Sequence, residues 1–416
     1  MKVERCKGTQ DLSPEEMAKF RHIEAAFRDL CQKWGYAEVR TPTLEYLHLF
    51  TAAGTLTPGM LHKVYSFLDW DGWSGERVVL RPDVTIPVAR FYIDRMAGKA
   101  PAKLFYVANV FRFEGSGTET RERWQCGAEL IGAGSATADV ELLVLALEVL
   151  RQLGIQGVAL KLSHAGLIQA LLDKLGLSPG EQTKILDQFL NGSVRTLADI
   201  KPGGPASKLT ALLGMKGKSA AMLKNLKTVA IPHFPQLGPL LDNFITVADL
   251  ISALGYDYEI DIDSGRGFEY YTGIIFQLFS GDEKIGGGGR YDALIPVLGG
   301  SDVPASGFAL YVDRLMNRLG PEAKGSIPLE RVLIKAEPLV VAEGFNTARL
   351  LHQAGYAAEI DLGAGETNFR WQLDVRSQVP RFVLTDRVKS RQFQMQTAGE
   401  VLAVLGEQGA SKDSPA

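Results

Sequence analysis

Residues 103–134 read KLFYVANVFRFEGSGTETRERWQCGAELIGAG. Two runs rich in aromatic and β-branched residues flank a polar connection that carries two glycines. That arrangement predicts two strands paired across GSGTET. In the second strand Gln125 and Glu129 fall on one face, because side chains alternate with a period of two.

The pattern continues outward from this pair. Upstream, VVLRPDVTIPVAR (78–90) reads as a further strand, with Arg81, Asp83 and Thr85 on one face. Before it, SPEEMAKFRHIEAAFRDLCQKWG (13–35) carries a helix start in Ser13 and Glu16, Pro14 at the first helical position, and Gly35 as a stop. Met17, Phe20, Ile23, Phe27, Leu30 and Cys31 recur at helical spacing. YAEVRTPTLEY (36–46) is extended, with Pro42 at an edge or bend.

Downstream, DVELLVLALEVLRQLG predicts a helix over about 138–153 that ends at Gly154. Residues of about 165–255 read as mainly helical, with NGSVRTLADIKPGGPASK (191–208) as a surface loop. Strands return at 258–262, 273–279 and 283–286, GGGGRYD (286–292) reads as a tight turn, and SGFALYVDRLMNRLG closes the unit with a helix. The expected fold is α+β, a mixed and mainly antiparallel sheet flanked by helices over residues 1–325. A small α/β domain with a partly parallel sheet follows over 326–416, ending in a frayed tail, GEQGASKDSPA (406–416).

Composition removes several classes of function. The net charge of −3 removes the simplest argument for nucleic-acid binding, a strongly basic chain, without excluding RNA. No apolar run reaches the roughly 20 residues that span a bilayer. The opening MKVERCKGTQDLSPEE lacks the apolar centre of a secretion signal, so the expected location is cytoplasmic. Cys6, Cys31 and Cys126 are far apart and read as reduced thiols. His164 and His233 have no second ligand at helical spacing, so no metal site is expected.

Four polar clusters remain. They are Arg81–Asp83–Thr85; Arg112 and Glu114 with Arg121, Gln125 and Glu129; Arg266, Glu269, Tyr270 and Tyr271 in GRGFEYYTG; and Arg290, Tyr291 and Asp292. Each alone reads as a solvated face or as packing. Together they suit a small zwitterion: carboxylates for an ammonium, an arginine for a carboxylate, and tyrosine with glutamate for a polar ring.

In this order the clusters resemble those of the histidyl-tRNA synthetase family, over at least residues 5–320. The resemblance is carried by KGTQDLSPEE with TPTLEY, by VFRFE…QCGAELIG, by GRGFEYYTG and GGGRYD, and by ASGFALYVDRL. It implies a class II synthetase fold, a dimer formed through the first motif, and a histidine pocket. Asp83 and Thr85 would face the α-amino group, and Arg121, Gln125 and Tyr270 would line the pocket. Glu129 and Tyr271 would reach the imidazole, with Tyr291 beside it and Arg266 at the carboxylate.

The resemblance also assigns a nucleotide position to Arg112, Glu114, Arg123, Tyr311 and Arg314, and there this chain departs from the family. GSGTET replaces the usual Arg-Pro-Gln loop, and Arg123 stands where a phenylalanine stacks on adenine. Tyr311-Val312-Asp313-Arg314 replaces Gly-Leu-Glu-Arg, so a tyrosine ring projects where glycine lets a nucleotide approach. LRPD shortens the acid of LRPE. Residues 326–416 carry 10 Lys/Arg and 11 Asp/Glu, which lends no support to a tRNA-binding patch.

LRPD, ARFYIDR, GAELIG, SATADVELL and SHAGL are more similar to a paralogous branch, the regulatory subunits of ATP phosphoribosyltransferase. That branch implies no catalysis of its own, histidine as a ligand and no other cofactor. Its implied partners are a short catalytic subunit and a second copy of the chain within a hetero-oligomer. An active histidine–tRNA ligase, using ATP, Mg and tRNA, is the alternative.

Overall fold

The capping box at Ser13 is formed: its hydroxyl accepts from the Glu16 amide at 3.2 Å, and its own amide donates to the Glu16 carboxylate at 2.7 Å. Helix α1 then runs Pro14–Lys33. Phe20, Ile23, Phe27 and Cys31 are buried on one face. Each of the larger three contributes about 2 kcal/mol by leaving water. The computed structural model describes residues 4–54, 56, 61, 63–69, 75–99, 101–113, 120–173, 215–232, 234–262, 271–320, 330–363 and 369–410. The chain divides into two units, Met1–Gly325 and Ser326–Ala416.

In the first unit, nine strands among the described residues form one sheet in the order β1-β5-β6-β12-β11-β10-β7-β9-β8. They are β1 (Ala37–Glu38), β5 (Ala102–Phe111), β6 (Glu122–Ile131), β7 (Val158–His164), β8 (Lys216–Gly217), β9 (Glu259–Asp261), β10 (Ile274–Ser280), β11 (Glu283–Arg290) and β12 (Ala305–Tyr311). The central pairings are antiparallel, whereas β1–β5 and β7–β9 are parallel. Strands β2 (Leu44–Tyr46), β3 (Ser66–Leu68) and β4 (Arg77–Leu80) form a small second sheet.

The quoted pair is the hinge of this architecture. Phe105 of β5 and Cys126, Ala128 and Leu130 of β6 enter a core shared with α1 and with α4 (Ala136–Gln152). Leu104, Tyr106, Ala108 and Val110 point to the other face, where they meet Val84 and Val88 at helix α3 (Thr85–Met96). The candidate site lies on this second face. Among the described residues no helix is long and apolar enough to cross a membrane.

Three expectations are corrected. The strand ends at Leu80, and residues 81–85 do not share a strand face. Pro82 has no amide to donate, and the Asp83 carboxylate accepts from the Ile86 amide at 3.0 Å, which starts a helix instead. Arg81 is buried and structural, donating to the carbonyls of Thr41, Pro42 and Asn109. Next, Gly286–Gly289 are not a turn but the middle of β11, paired with β10 and β12. A Cβ on Gly288 would lie 2.2 Å from the Gly307 carbonyl, so the run exists for close backbone approach. Finally, residues 406–410 of the tail belong to a helix, Ala398–Ala410, rather than to a frayed end.

The second unit has five strands in the order β14-β13-β15-β16-β17: β13 (Arg331–Ala336), β14 (Ala357–Ile360), β15 (Trp371–Val375), β16 (Phe382–Asp386) and β17 (Arg391–Met395). The first three are mutually parallel and the last two antiparallel additions. The sequence reading omitted β15 and β17. The loop expected at 191–208 and His233 lie outside the described residues.

Candidate functional site

Glu129 is the centre of the site. It lies on β6 opposite Gly307 of β12, and its neighbour on the same face, Gly127, lies opposite Tyr106 of β5. Both glycines are needed for room. A Cβ on Gly307 would fall 1.7 Å from Glu129 Oε2, and one on Gly127 would fall 2.3 Å from the Tyr106 hydroxyl. The sheet is thereby hollowed under one carboxyl.

Two hydroxyls donate to that carboxyl. Thr85, in the first turn of α3, donates to Glu129 Oε1 at 2.8 Å. Tyr291 donates to Oε2, and the Tyr106 hydroxyl lies nearby, over Gly127. Glu129 is only 1% exposed. Burial pushes its carboxyl up to about 8; the bonds from Tyr291 and Thr85 oppose the rise and the charge of Asp83 adds to it. Burial also raises the Asp83 carboxyl, against the Ile86 amide and the Arg112 charge.

Tyr291 is held in place from behind. Arg290 donates from Nε and Nη2 to the two oxygens of Asp139 at 3.2 and 2.7 Å, and from Nη1 to Asp292 at 3.0 Å. The carbonyls of Ala133 and Ser135 take further bonds. Asp292 in turn accepts from the Ala305 amide at 3.0 Å. Burial pushes the Asp139 carboxyl up to about 6 despite the attraction of Arg290. The Arg290 and Asp292 of the fourth cluster are therefore structural, and Tyr291 is the member they present.

The structure gathers Asp83, Thr85, Glu129, Tyr291 and Tyr271. The Tyr271 ring packs on Gly289, where a Cβ would come within 2.9 Å of it. Gln125 is on the same face and pairs across the sheet with Ala108 and Tyr311. Arg121 stands eight residues before Glu129, about 26 Å along an extended chain, with its guanidinium 4.4 Å from the Phe113 ring centroid. Glu114, Arg266, Glu269 and Tyr270 lie outside the described residues. Buried His164 accepts from the Leu167 amide at 3.2 Å. Tyr106 was missed because its signal is a register: a tyrosine facing a glycine on a partner strand.

The assigned nucleotide position begins four residues along β12, about 13 Å from the Gly307 rung. There the Arg314 guanidinium lies 5.0 Å from the centroid of the Tyr311 ring, donates to the Lys284 carbonyl and approaches Glu283 at 3.9 Å. Arg123 donates to the Thr120 carbonyl at 3.2 Å, and Arg112 to the Pro82 carbonyl at 3.0 Å.

The comparisons place the chain by family and by fold. The family model of histidyl-tRNA synthetase matches residues 8–315. The ATP phosphoribosyltransferase regulatory subunit of Dehalococcoides mccartyi is 47% identical over 412 residues, covering 98% of this chain and 100% of the relative. The histidine–tRNA ligase of Archaeoglobus fulgidus is 32% identical, covering 87% of this chain and 86% of the relative. The crystal structure of an ATP phosphoribosyltransferase regulatory subunit/histidyl-tRNA synthetase from Bacillus halodurans C superposes with a TM-score of 0.75 at 24% identity, covering 88% of this chain and 95% of the other. A class II synthetase-like fold, the family-model match and near-full-length similarity to a regulatory subunit converge on one assignment: the chain belongs to the histidyl-tRNA synthetase family, on the branch of the ATP phosphoribosyltransferase regulatory subunits.

Proposed function

We propose that this chain is a non-catalytic regulatory subunit of ATP phosphoribosyltransferase in the cytoplasm. It acts as a homodimer within a hetero-oligomer, activates a short catalytic subunit and takes part in feedback inhibition by histidine. In this reading residues 1–325 are the histidine-binding core. Asp83, Thr85, Gln125, Glu129, Tyr271 and Tyr291 cradle histidine there, with Arg266 and Tyr270 completing the ligand set; Arg121, stacked on Phe113 ahead of β6, lies too far from Glu129 to join it.

The observation that carries the reading is the contrast between two neighbouring positions on β12. At Gly307 the sheet is opened to hold an acid that can meet a ring nitrogen. At Tyr311 the space is occupied by a ring, and Arg314 is engaged with that ring, Lys284 and Glu283. A synthetase works by positioning ATP against its amino acid, and a guanidinium already committed elsewhere offers little to a phosphate. Feedback then requires histidine to bind one state of the complex better than another, and the coupling is limited by that difference.

The test is reconstitution with a short-form catalytic subunit. Phosphoribosyl transfer is expected to rise on adding this chain and to become sensitive to histidine. Equal activity and equal inhibition without it would overturn the proposal. Histidine-dependent ATP–pyrophosphate exchange is expected to be absent; robust exchange would favour the ligase reading, which the presence of Arg112 and Arg314 keeps chemically coherent.

One variant tests the nucleotide position alone. Tyr311→Gly removes the ring and releases Arg314. Calorimetry is expected to show ATP affinity at least about tenfold higher than wild type, worth about 1.4 kcal/mol. Tight ATP binding by the wild-type chain would mean that Tyr311 blocks nothing.

A further inference from the structure

We infer that Thr272 is a positioning residue of the pocket, one whose amide and hydroxyl together set the Tyr271 ring and the Tyr291 hydroxyl beside the Glu129 carboxyl. This rests on the histidine reading above and names what holds the imidazole end of that pocket in shape.

One row of residues crosses the site face of the sheet. Ile275 of β10 pairs with Gly289 of β11, Gly289 with Gly307 of β12, and Gly307 with Glu129 of β6. Neighbouring strands lie about 4.8 Å apart. The Glu129 carboxyl fills the space over Gly307 and the Tyr271 ring the space over Gly289, so the two stand above adjacent strands.

Regular pairing would not bring Tyr271 there. The ladder of β10 and β11 includes Ile275 opposite Gly289, and four more residues on each strand would set Tyr271 opposite Ala293. That rung lies about 13 Å beyond Gly289. Instead two consecutive amides, Thr272 at 2.7 Å and Gly273 at 3.3 Å, donate to the single Arg290 carbonyl. Such sharing is the mark of a bulge, which bends a strand and re-aims its side chains. Gly273 suits this close approach, because a Cβ there would lie 2.9 Å from Arg290 Cδ.

The Thr272 carbonyl faces Gly166, where a Cβ would lie 2.8 Å from it. Its hydroxyl serves the chain leaving β11 instead, accepting from the Asp292 amide at 2.9 Å. Thr272 therefore grips the residue before Tyr291 through its amide and the residue after it through its side chain. Arg290 and the Ala305 amide fix the Asp292 carboxylate, and Thr272 fixes the Asp292 backbone. Tyr291, between these two bonds, donates to Glu129 Oε2. Tyr271, next to Thr272 in the chain, is turned over Gly289 by the same bulge.

Calorimetry of L-histidine and L-histidinol binding to the full-length chain tests this in wild type, Thr272→Val and Thr272→Ser. Valine keeps the shape and the amide bond to Arg290 but leaves the Asp292 amide without that acceptor. It is expected to weaken both ligands about tenfold, equal to about 1.4 kcal/mol. Both should suffer alike, because they share the ring and differ only at the carboxylate end. Serine keeps the hydroxyl and is expected to restore wild-type affinity. Unchanged affinity in the valine variant, a loss that serine does not restore, or a loss confined to L-histidine would each overturn the inference and leave the histidine reading standing. If wild type itself fails to bind L-histidine, the reading falls and this inference with it.

Discussion

Glu129→Gln is expected to weaken histidine binding by about 100-fold while leaving the fold intact. The substitution keeps the volume and the acceptor for Thr85, but removes the charge that a ring N–H or imidazolium meets. A hydrogen bond to a buried charged partner is worth about 1.5–3 kcal/mol, and 100-fold corresponds to about 2.7 kcal/mol. Stability should move the opposite way. The Glu129 carboxyl is pushed from its ordinary 4.5 to about 8 on folding. Between those values the folded chain holds more protons than the unfolded one, so stability from this group is full below 4.5 and lost as pH rises through 8. The glutamine variant should lose that slope and be the more stable protein at pH 8 than at pH 5 when each is compared with wild type. Thermal melts at the two pH values and calorimetry at pH 7.5 measure both effects. A variant that binds histidine normally would remove Glu129 from the ligand set. One that fails to fold would make it a structural keystone.

The second large effect belongs to Arg290. Arg290→Met preserves much of the stem's packing but leaves Asp139 buried without its partner, a loss of about 3–5 kcal/mol. Asp139 already sits at about 6 with Arg290 beside it. Without that cation its proton is held to higher pH, so the deficit should shrink as the solution is acidified toward pH 5. The double variant Arg290→Met, Asp139→Leu should recover most of the loss, because neither charge is then stranded. Urea unfolding at pH 5 and pH 8, followed by tryptophan fluorescence, distinguishes these outcomes. A single variant within about 1 kcal/mol of wild type at pH 8 would show that the pair is not the anchor of the loop that carries Tyr291.

How much of this was legible in the sequence depended on whether the deciding neighbours were local. β5, β6, α1 and α4 were readable because alternation, helical spacing and the Ser13 cap lie within each segment. Residues 81–85 were not: VVL and TIPV favour extension, and the change of state comes from Pro82 and one side-chain bond from Asp83. Gly286–Gly289 read as a turn because nothing in the run itself reveals the two strands pressed against it. β15 and β17 are five residues each, and their pairing across β16 is invisible from either alone. For the site, residue types pointed to Glu129, Thr85 and Tyr291. The placement of Tyr106 over Gly127 emerged only from cross-strand register, and the structural duty of Arg290 only from its bonds to Asp139, Asp292 and two carbonyls.

The run of glycines through β11 has a consequence for how such a molecule can diverge. Beside Glu129 the sheet presents main chain at Gly307 and Gly289, and main chain cannot be exchanged one residue at a time. Adding even a methyl at Gly288 would push strands apart. New chemistry must therefore be written at positions such as Tyr311 and Arg123, while the spacing of the strands is handed down unchanged. A lineage could abandon one reaction and take up another duty without ever redesigning the chamber in which its ligand sits.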